Sequence, residues 1–474
     1  GRQNTEAFAD RTILDFVEGT VLSKARAEGN VKLIQTGSSQ AGQAGRTEEE
    51  GQARSSTAQQ VQITASAMDF LAKNGRLSEA QTSGAAEITI SPASASPGPA
   101  VTGQAVTGQV THVTAGQFTA KLDGSNRLHS LHGAPNAVIT SVTPGQPDRV
   151  SASAFLDVAF RPQGGINSIV QQGDVRYHDG QRMAFAEQGV FTPGNHLIVL
   201  SGAPRVTGQG LTTTADTFRL NRESGEATAE GNVKSTYSEL KPQPNGALLA
   251  SSDPIHVTAK SMQARRDSGV ALYSGNARLW QGPNVVQAST IRFDRDGRSM
   301  VAEGITGGES PAGPVTTVLV QTGADGKTTL VTITSLHLTY TDSERRIHFD
   351  GGVTMRNTDA MITGESLDVY LAQSRQATSN QVLTHESTTP SRLEKAIAHG
   401  GIVITQLTRR ATGETLTYLA AEDKFTLEGG PPSIFDAERG QITGDSLTFF
   451  RHDDRVLVEG KANSPVITKT RVAH

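Results

Sequence analysis

Arg346–Met355 reads RIHFDGGVTM, and Met361–Leu371, just beyond it, reads MITGESLDVYL. In the first, Ile347, Phe349, Gly351, Val353 and Met355 all share one parity. Alternation of that kind is the signature of a half-buried β-strand. In the second, Leu367, Val369 and Leu371 share a parity, whereas Ile362 has the other. A period-2 strand can change the side of its apolar residues only through a bulge or sharp bend. The change falls on Gly364-Glu365, where glycine permits a bend. Two such strands in succession predict a hairpin whose strands turn a corner, as in a folded-over sheet.

The same pair recurs along the chain. Ala25–Leu33 (ARAEGNVKL), Ala227–Val233 (ATAEGNV), Ala271–Leu279 (ALYSGNARL), Lys395–Ile404 (KAIAHGGIVI) and Val456–Lys461 (VLVEGK) are relatives of the glycine-centred strand. Val61–Phe70, Leu211–Leu220, Ile255–Ala264, Val286–Phe293 and Gln441–Phe450 (QITGDSLTFF) are relatives of the other, and Gln441–Phe450 has the same change of parity at Gly444-Asp445. Short polar turns such as Asp294–Arg298 (DRDGR), Asn221–Gly225 (NRESG) and Arg451–Arg455 (RHDDR) join them. Gly173 to Gly202, Gly202 to Gly231, Gly275 to Gly304 and Gly400 to Gly429 are each 29 residues apart. A fixed period of that size marks units that bury their apolar faces against their neighbours. The fold class expected is all-β: an elongated antiparallel β-jelly-roll or folded-over "taco" of stacked hairpins. Residues 1–240 and 255–474 form the two expected regions, with Lys241–Asn245 as the boundary.

Parity places Gly29, Gly173, Gly202, Gly231, Gly275, Gly304, Gly351, Gly400, Gly429 and Gly460 on the inward face, where two walls approach or the strand turns. It also nominates an apolar interior. Its expected lining is Phe218, Leu220, Met262, Ile291, Phe293, Leu336, Leu338, Ile347, Phe349, Leu367, Val369, Leu416, Tyr418, Leu447 and Phe449. Ordinary core packing would give the same stripe.

Composition narrows the function. Hydrophobic residues are 35 % of the 474 and aromatics 5 %, too few for a thick globular core. The net charge of -4 and the interspersed signs argue against nucleic acid. There is no cysteine, so thiolate metal sites and disulfides are excluded. No apolar run is long enough to span a membrane as a helix. The sequence starts at Gly1 without methionine or a signal-like segment, so an export signal or inner-membrane anchor is expected to lie outside it. The stretches near 35–60 and 91–108 read as low-complexity loops, with weaker examples at Tyr237–Pro254, Gly307–Thr329 and Gln373–Arg392.

The remaining motifs have plain readings. Gly323–Thr328 (GADGKT) lacks the first glycine of a phosphate loop, since Gln321 stands there, and reads as a hairpin turn. Asp294-Arg295-Asp296-Gly297 resembles the opening of a calcium loop without its later glutamate, and also reads as a turn. His129 and His132, three apart on a strand, point to opposite faces and do not suit one metal. Glu48–Glu50 is a solvated charge run, and no nucleophile elbow or carboxylate pair stands out, so neither an enzyme nor a cofactor is expected.

Taken together, the AEGNV-type strand, the ITG-(D/E)-SL strand and the polar turn resemble the organic-solvent-tolerance (OstA) or LptA-like family, the periplasmic β-taco domains of the lipopolysaccharide export bridge. The likeness is best over Ile255–Val466. It implies a non-enzymatic protein of outer-membrane biogenesis in Gram-negative bacteria, sheltering the lipid A acyl chains of lipopolysaccharide in an apolar groove. It also implies a periplasmic location and head-to-tail association with other β-taco domains through edge strands. The chain is two to three times the usual family length. It could stand for the bridge itself, the anchored LptC-like component, or a fusion of LptC-like and LptA-like parts. The alternatives are a secreted β-solenoid or sandwich with a structural or adhesive role, which as a solenoid would coil in parallel, and a carbohydrate-active β-helix enzyme, which would need clustered acids on one face.

Overall fold

The computed structural model describes residues 4–37, 59–92, 109–125, 127–162, 166–180, 182–238, 249, 253–265, 268–305, 313–322, 328–372, 393–450, 455–461 and 465–469. The expected loops at 38–58, 93–108 and 373–392, the motif at 323–327 and most of the turn at 451–455 lie outside them. Most of the described residues are in strands, and the one helical piece among them is a single 3-10 turn, Pro193–Asn195. The strands pair antiparallel. A solenoid of parallel coils is therefore excluded for these residues.

The chain divides into two compact units. Unit one is residues 1–209 with 216–225, and unit two is residues 210–215 with 226–474. The division falls ahead of Lys241–Asn245, which lies outside the described residues.

In unit two the sheet folds over on itself, and its long strands contribute to both arms. The strand Asn284–Asp294 shows this. Its first half pairs with Val315–Thr322 and its second half with Ser299–Glu303. Elsewhere the strand is cut at the corner, as at Met361–Gly364 and Ser366–Leu371, or Gly440–Thr443 and Ser446–Phe450. Those cuts fall at Glu365 and at Gly444-Asp445, where the parity changed in the sequence. Buried residues change parity with them: Ile362 lies on one side, Leu367 and Val369 on the other.

The neighbouring strand turns the same corner differently. In Leu393–Thr405, Gly400 (φ +83°) and Gly401 (φ +53°) are both left-handed. The register steps from His399–Thr415 to Ile402–Gly413, so two residues face one. This is a bulge, and it lets the backbone bend while its hydrogen bonds continue. The Glu365 N–H donates to the carbonyls of His399 (2.9 Å) and Gly400 (3.2 Å) across it. Left-handed backbone favours glycine first and Asn or Asp next. That explains the residue after the glycine: Asn30, Asp174, Asn232 and Asn276 also have positive φ. Gly29, Gly173, Gly202, Gly231, Gly275, Gly351 and Gly429 occupy the same place, all with φ between +74° and +83°. Gly84 (φ +77°) does so too, opposite Ser66, and sequence reasoning missed it.

The structure corrects the inward assignment of these glycines. A Cβ on Gly202 would meet Glu187 at 2.4 Å, and one on Gly400 would meet Glu365 at 2.5 Å, both exposed side chains on the outside of the bend. Gly304 and Gly460 are not left-handed. Gly304 ends its strand against the backbone of Pro314 and Val315, and Gly460 is exposed. The glycines that do face inward lie on the partner strands. A Cβ on Gly364 would meet Ile402 at 2.7 Å, on Gly413 Leu427 at 2.6 Å, and on Gly444 Val458 at 2.6 Å. None of these three has positive φ, so they make room for core side chains and do not supply the bend.

Hairpin turns are fixed by carboxylates and amides. Asp294 accepts the N–H groups of Asp296 (2.9 Å) and Gly297 (3.0 Å), which is the turn expected there. Asp436 does the same for Glu438 and Arg439, and those two N–H groups, with Arg409, hold its pKa below the usual carboxylate value.

Candidate functional site

Two rows of side chains cross the inner side of one arm of unit two. The first runs Met262, Tyr273, Ile291, Ala302, Leu338, Phe349, Leu367, Ala398, Leu416, Leu427 and Leu447, each the cross-strand partner of the next. The second runs Phe293, Met300, Tyr340, Ile347, Val369, Ala396, Tyr418, Phe425 and Phe449. Cross-strand neighbours on one face are about 5 Å apart, so each row is a continuous apolar strip. These rows bring together twelve of the fifteen residues nominated from the sequence. Phe218 and Leu220 belong to unit one, opposite Leu200 and Ile198.

Leu336 was nominated in error. It sits at the corner between Thr328–Ser335 and His337–Thr341, half-buried, where its side chain fills the place of a Cβ on Gly351. The corner residue belongs to neither arm's alternation.

Sequence reasoning missed most of the other wall. Val257, Leu279, Val286, Thr317, Ile333, Met355, Ile362, Ile404, Ala411, Ile434 and Ile442 form its row, again partner to partner. The signal was present in Ile362 and Ile442, whose parity opposes that of their neighbours. After a corner, opposite parity is inward.

Both walls line one cavity of about 70 Å³. Val331, Val353, Met355 and Ile362 contribute from one arm, and Leu367, Ala396, Ala398, Leu416, Tyr418 and Phe425 from the other. Asn357, Gly364, Ser366 and Leu393 complete it, so no charged side chain takes part. Tyr418 and Phe425 stack at 4.4 Å, both half-buried. The Tyr418 hydroxyl donates to Asp423 (3.0 Å) in the turn Ala420–Asp423, so the ring faces the cavity while its polar tip reaches the edge.

Outward positions carry the charge. Asp368 accepts from Arg346 (2.7 Å) and is 2.8 Å from the His348 ring. Burial pushes its pKa up, but these hydrogen bonds outweigh it and hold the pKa below the usual carboxylate value. His132 is likewise on the outer face, 2.8 Å from Asp157. A larger concavity of about 330 Å³ in unit one is lined mostly by that outer face, with Thr119, Lys121, Ser130, His132 and Asp157. None of its lining residues belongs to the apolar rows. Among the described residues, no three metal-ligating side chains cluster, and no helix is long and apolar enough to cross a membrane.

Residues 332–455 match the family model described as LptA/(LptD N-terminal domain) LPS transport protein. LptH from Pseudomonas aeruginosa, described as the LptA homologous periplasmic component of the conserved lipopolysaccharide transport device, is a solved structure similar to part of the chain. The identity is 17 % and the TM-score 0.25, over 29 % of this chain and 94 % of LptH. No curated protein matches. The cavity lining from Val353 to Phe425 falls within the residues that match the family model. Residues 332–455 are thus similar to the OstA/LptA-like family that the sequence resembled.

Proposed function

We propose that this chain is a non-enzymatic periplasmic lipid carrier of lipopolysaccharide transport, sheltering lipid A acyl chains between the two arms of unit two. The observation that carries the reading is the cavity lined from both arms by apolar side chains and by no charged one. An acyl chain exposed to water costs about 0.8 kcal/mol per methylene, so about ten methylenes cost roughly 8 kcal/mol. An apolar strip that continues from strand to strand removes that cost at each step of passage. The cavity is small beside such a chain, since one water takes about 30 Å³ of liquid. Binding therefore requires the arms to part, with the sugar head left at the edge.

The same reading gives the edge strands a role in head-to-tail association with further β-taco domains. Among the described residues, Arg11–Val17 pairs only with Val21–Gly37, and Arg455–Glu459 only with Ser446–Phe450. An edge strand of this kind can add to a partner's sheet.

The test uses the protein's own methionines, replaced throughout by photo-methionine and irradiated with purified lipopolysaccharide. Met355 lines the cavity, and Met183 is exposed on the outer face of unit one. Adducts at Met355 without adducts at Met183 are expected. Equal labelling of both, or none at Met355 in folded protein, would remove the carrier reading in favour of a packed structural sandwich.

A further inference from the structure

The outer side of one arm of unit two has a charge pattern that the other arm lacks. Two outward rows cross it strand by strand, each residue the cross-strand partner of the next. One runs from Thr212 through His256, Trp280 and Arg356 to Lys469, the other from Thr214 through Lys234 and Arg278 to Ile467. Their ionisable residues are Lys234, His256, Arg278, Arg356, Arg410 and Lys469, and neither row contains a carboxylate. The five Lys and Arg side chains are exposed, and none of them makes an ion pair among the described residues. The other arm is mixed. Its outer side carries Glu230, Glu303, Asp350, Asp368, Glu428 and Glu459, and carboxylates there hold bases, as Asp368 holds Arg346 (2.7 Å) and Glu226 holds Arg265 (3.3 Å).

Apolar groups stand among these cations. The chain's one tryptophan, Trp280, is half-buried in the first row. The His256 ring stacks on it at 5.2 Å, and the Arg278 guanidinium lies 5.6 Å from its centroid. Phe435, between Arg410 and Gln441 in the same row, is 49 % exposed. Beyond the row, near strand ends, Leu330 is 63 % exposed, and Leu407, in the turn between Leu393–Thr405 and Arg409–Leu419, is fully exposed. The carboxylates that flank the rows stand in the turns and at the corner, among them Asp359, Glu438, Glu365 and Asp436, which Arg409 holds at 3.1 Å. Exposed large apolar side chains beside unpaired Lys and Arg suit an anionic lipid surface. The apolar groups enter the acyl boundary, an indole sits at headgroup level, and the cations meet phosphates. An acidic protein would take the cations but has no need of Leu330 and Leu407.

We propose that this outer face of unit two docks on an anionic phospholipid surface, with Lys234, Arg278, Arg356, Arg410 and Lys469 over the headgroups and Trp280, Phe435 and Leu407 at the boundary. Binding here needs no lipid in the interior, so it stands or falls apart from the carrier role. The attraction that brings the face to the surface is electrostatic and is screened by salt, whereas the apolar contacts are not.

Trp280 reports on the face directly, because no other tryptophan contributes to the emission. The full chain is mixed with vesicles of one part phosphatidylglycerol to three of phosphatidylcholine, and separately with vesicles of phosphatidylcholine alone. Emission should shift to the blue and become protected from acrylamide with the anionic vesicles only, and added salt should reverse part of both changes. Arg356→Gln/Arg410→Gln, at two exposed positions, should weaken co-sedimentation with the anionic vesicles roughly tenfold. Arg292→Gln/Lys395→Gln removes the same charge from the outer side of the other arm and should leave it unchanged. Unshifted emission with both kinds of vesicle, or equal weakening by the two double variants, would overturn the proposal. A shift as large with polyglutamate as with the anionic vesicles would also overturn it, and would give the face to an acidic protein.

Discussion

Residues 255–349 and 353–450 of unit two are built from the same repeat, with the same corners and the same two apolar rows, yet their interiors differ. In the first, Tyr273, Ile291, Phe293, Met300, Leu338, Tyr340 and Phe349 are each 0 % exposed. In the second, one strand puts two alanines, Ala396 and Ala398, into adjacent rows where the first has the single Ala302, and Tyr418, Phe425 and Phe449 are only half-buried. Alternation decides which residues face inward, and the sum of their volumes decides whether the inside is a core or a cleft. Folded interiors pack near crystal density, so two alanines in succession on the inner face of one strand leave space between the larger side chains of its neighbours.

The largest effect should come from emptying the packed region. Phe349→Ala is expected to cost about 3–5 kcal/mol, because the fully buried ring leaves a cavity as well as losing its transfer energy. Phe425→Ala, half-exposed beside an existing cavity, should cost only about 1–2 kcal/mol. Urea unfolding of both variants measures the gap. Equal costs would mean the two interiors are packed alike.

The corner glycines test the frame that both regions share. Gly351→Ala places a left-handed alanine, about 1–2 kcal/mol from the backbone alone, and its Cβ meets the Leu336 side chain at 2.5 Å. Gly413→Ala keeps an ordinary backbone but drives a Cβ to 2.6 Å from Leu427 in the interior. The double variant Gly351→Ala/Leu336→Gly, which removes the Leu336 Cβ that makes the contact, should recover part of the first loss, whereas Gly413→Ala should be relieved by Leu427→Ala and not by Leu336→Gly. Rescue in the crossed combination would return the Gly351 site to the inside of the fold.

A smaller but cleaner contrast comes from adding volume. Ala302 and Ala398 occupy the same row, one in each region. Ala302→Leu should cost about 1–3 kcal/mol by overpacking. Ala398→Leu projects into the cavity and should cost less than about 1 kcal/mol, while lowering lipopolysaccharide labelling at Met355 severalfold. Full labelling with Ala398→Leu would move the lipid elsewhere.

How much of this was legible in the sequence follows from the same physics. The change of parity inside MITGESLDVYL located the corner at Glu365, because alternation is a local property of extended backbone. It failed at Gly400-Gly401 for the same reason. Parity counting assumes extended residues, and two left-handed ones carry the chain round the bend with the count unbroken, so Gly400 and Gly351 looked inward. Leu336 was misread because a corner residue belongs to neither alternation. The cavity could not be read at all. It depends on Met355, Leu416 and Phe425 meeting across strands that are not adjacent in sequence, and on the small volume of Ala396 and Ala398.

The last contrast, absent at neutral pH, concerns how dry the packed region is. The Tyr237 and Tyr273 hydroxyls meet at 2.8 Å, and Tyr237 stands edge-on to Phe293 at 5.0 Å. Burial pushes the Tyr273 pKa up to about 12 and that of Tyr237 well above the usual tyrosine value. For a raised pKa, the contribution to stability is intact below the unfolded value of about 10 and is lost above it. Between about pH 10 and 12 the unfolded chain sheds protons that the folded chain keeps, so stability should fall by about 1.4 kcal/mol per pH unit for each tyrosine. Absorbance at 295 nm, compared with Tyr237→Phe and Tyr273→Phe, should show these two groups ionising only as the β-sheet dichroism is lost. Reversible ionisation near pH 10 in folded protein would mean that water reaches Tyr273. The contrast between a packed and an open half of unit two would then have to be drawn elsewhere along the rows.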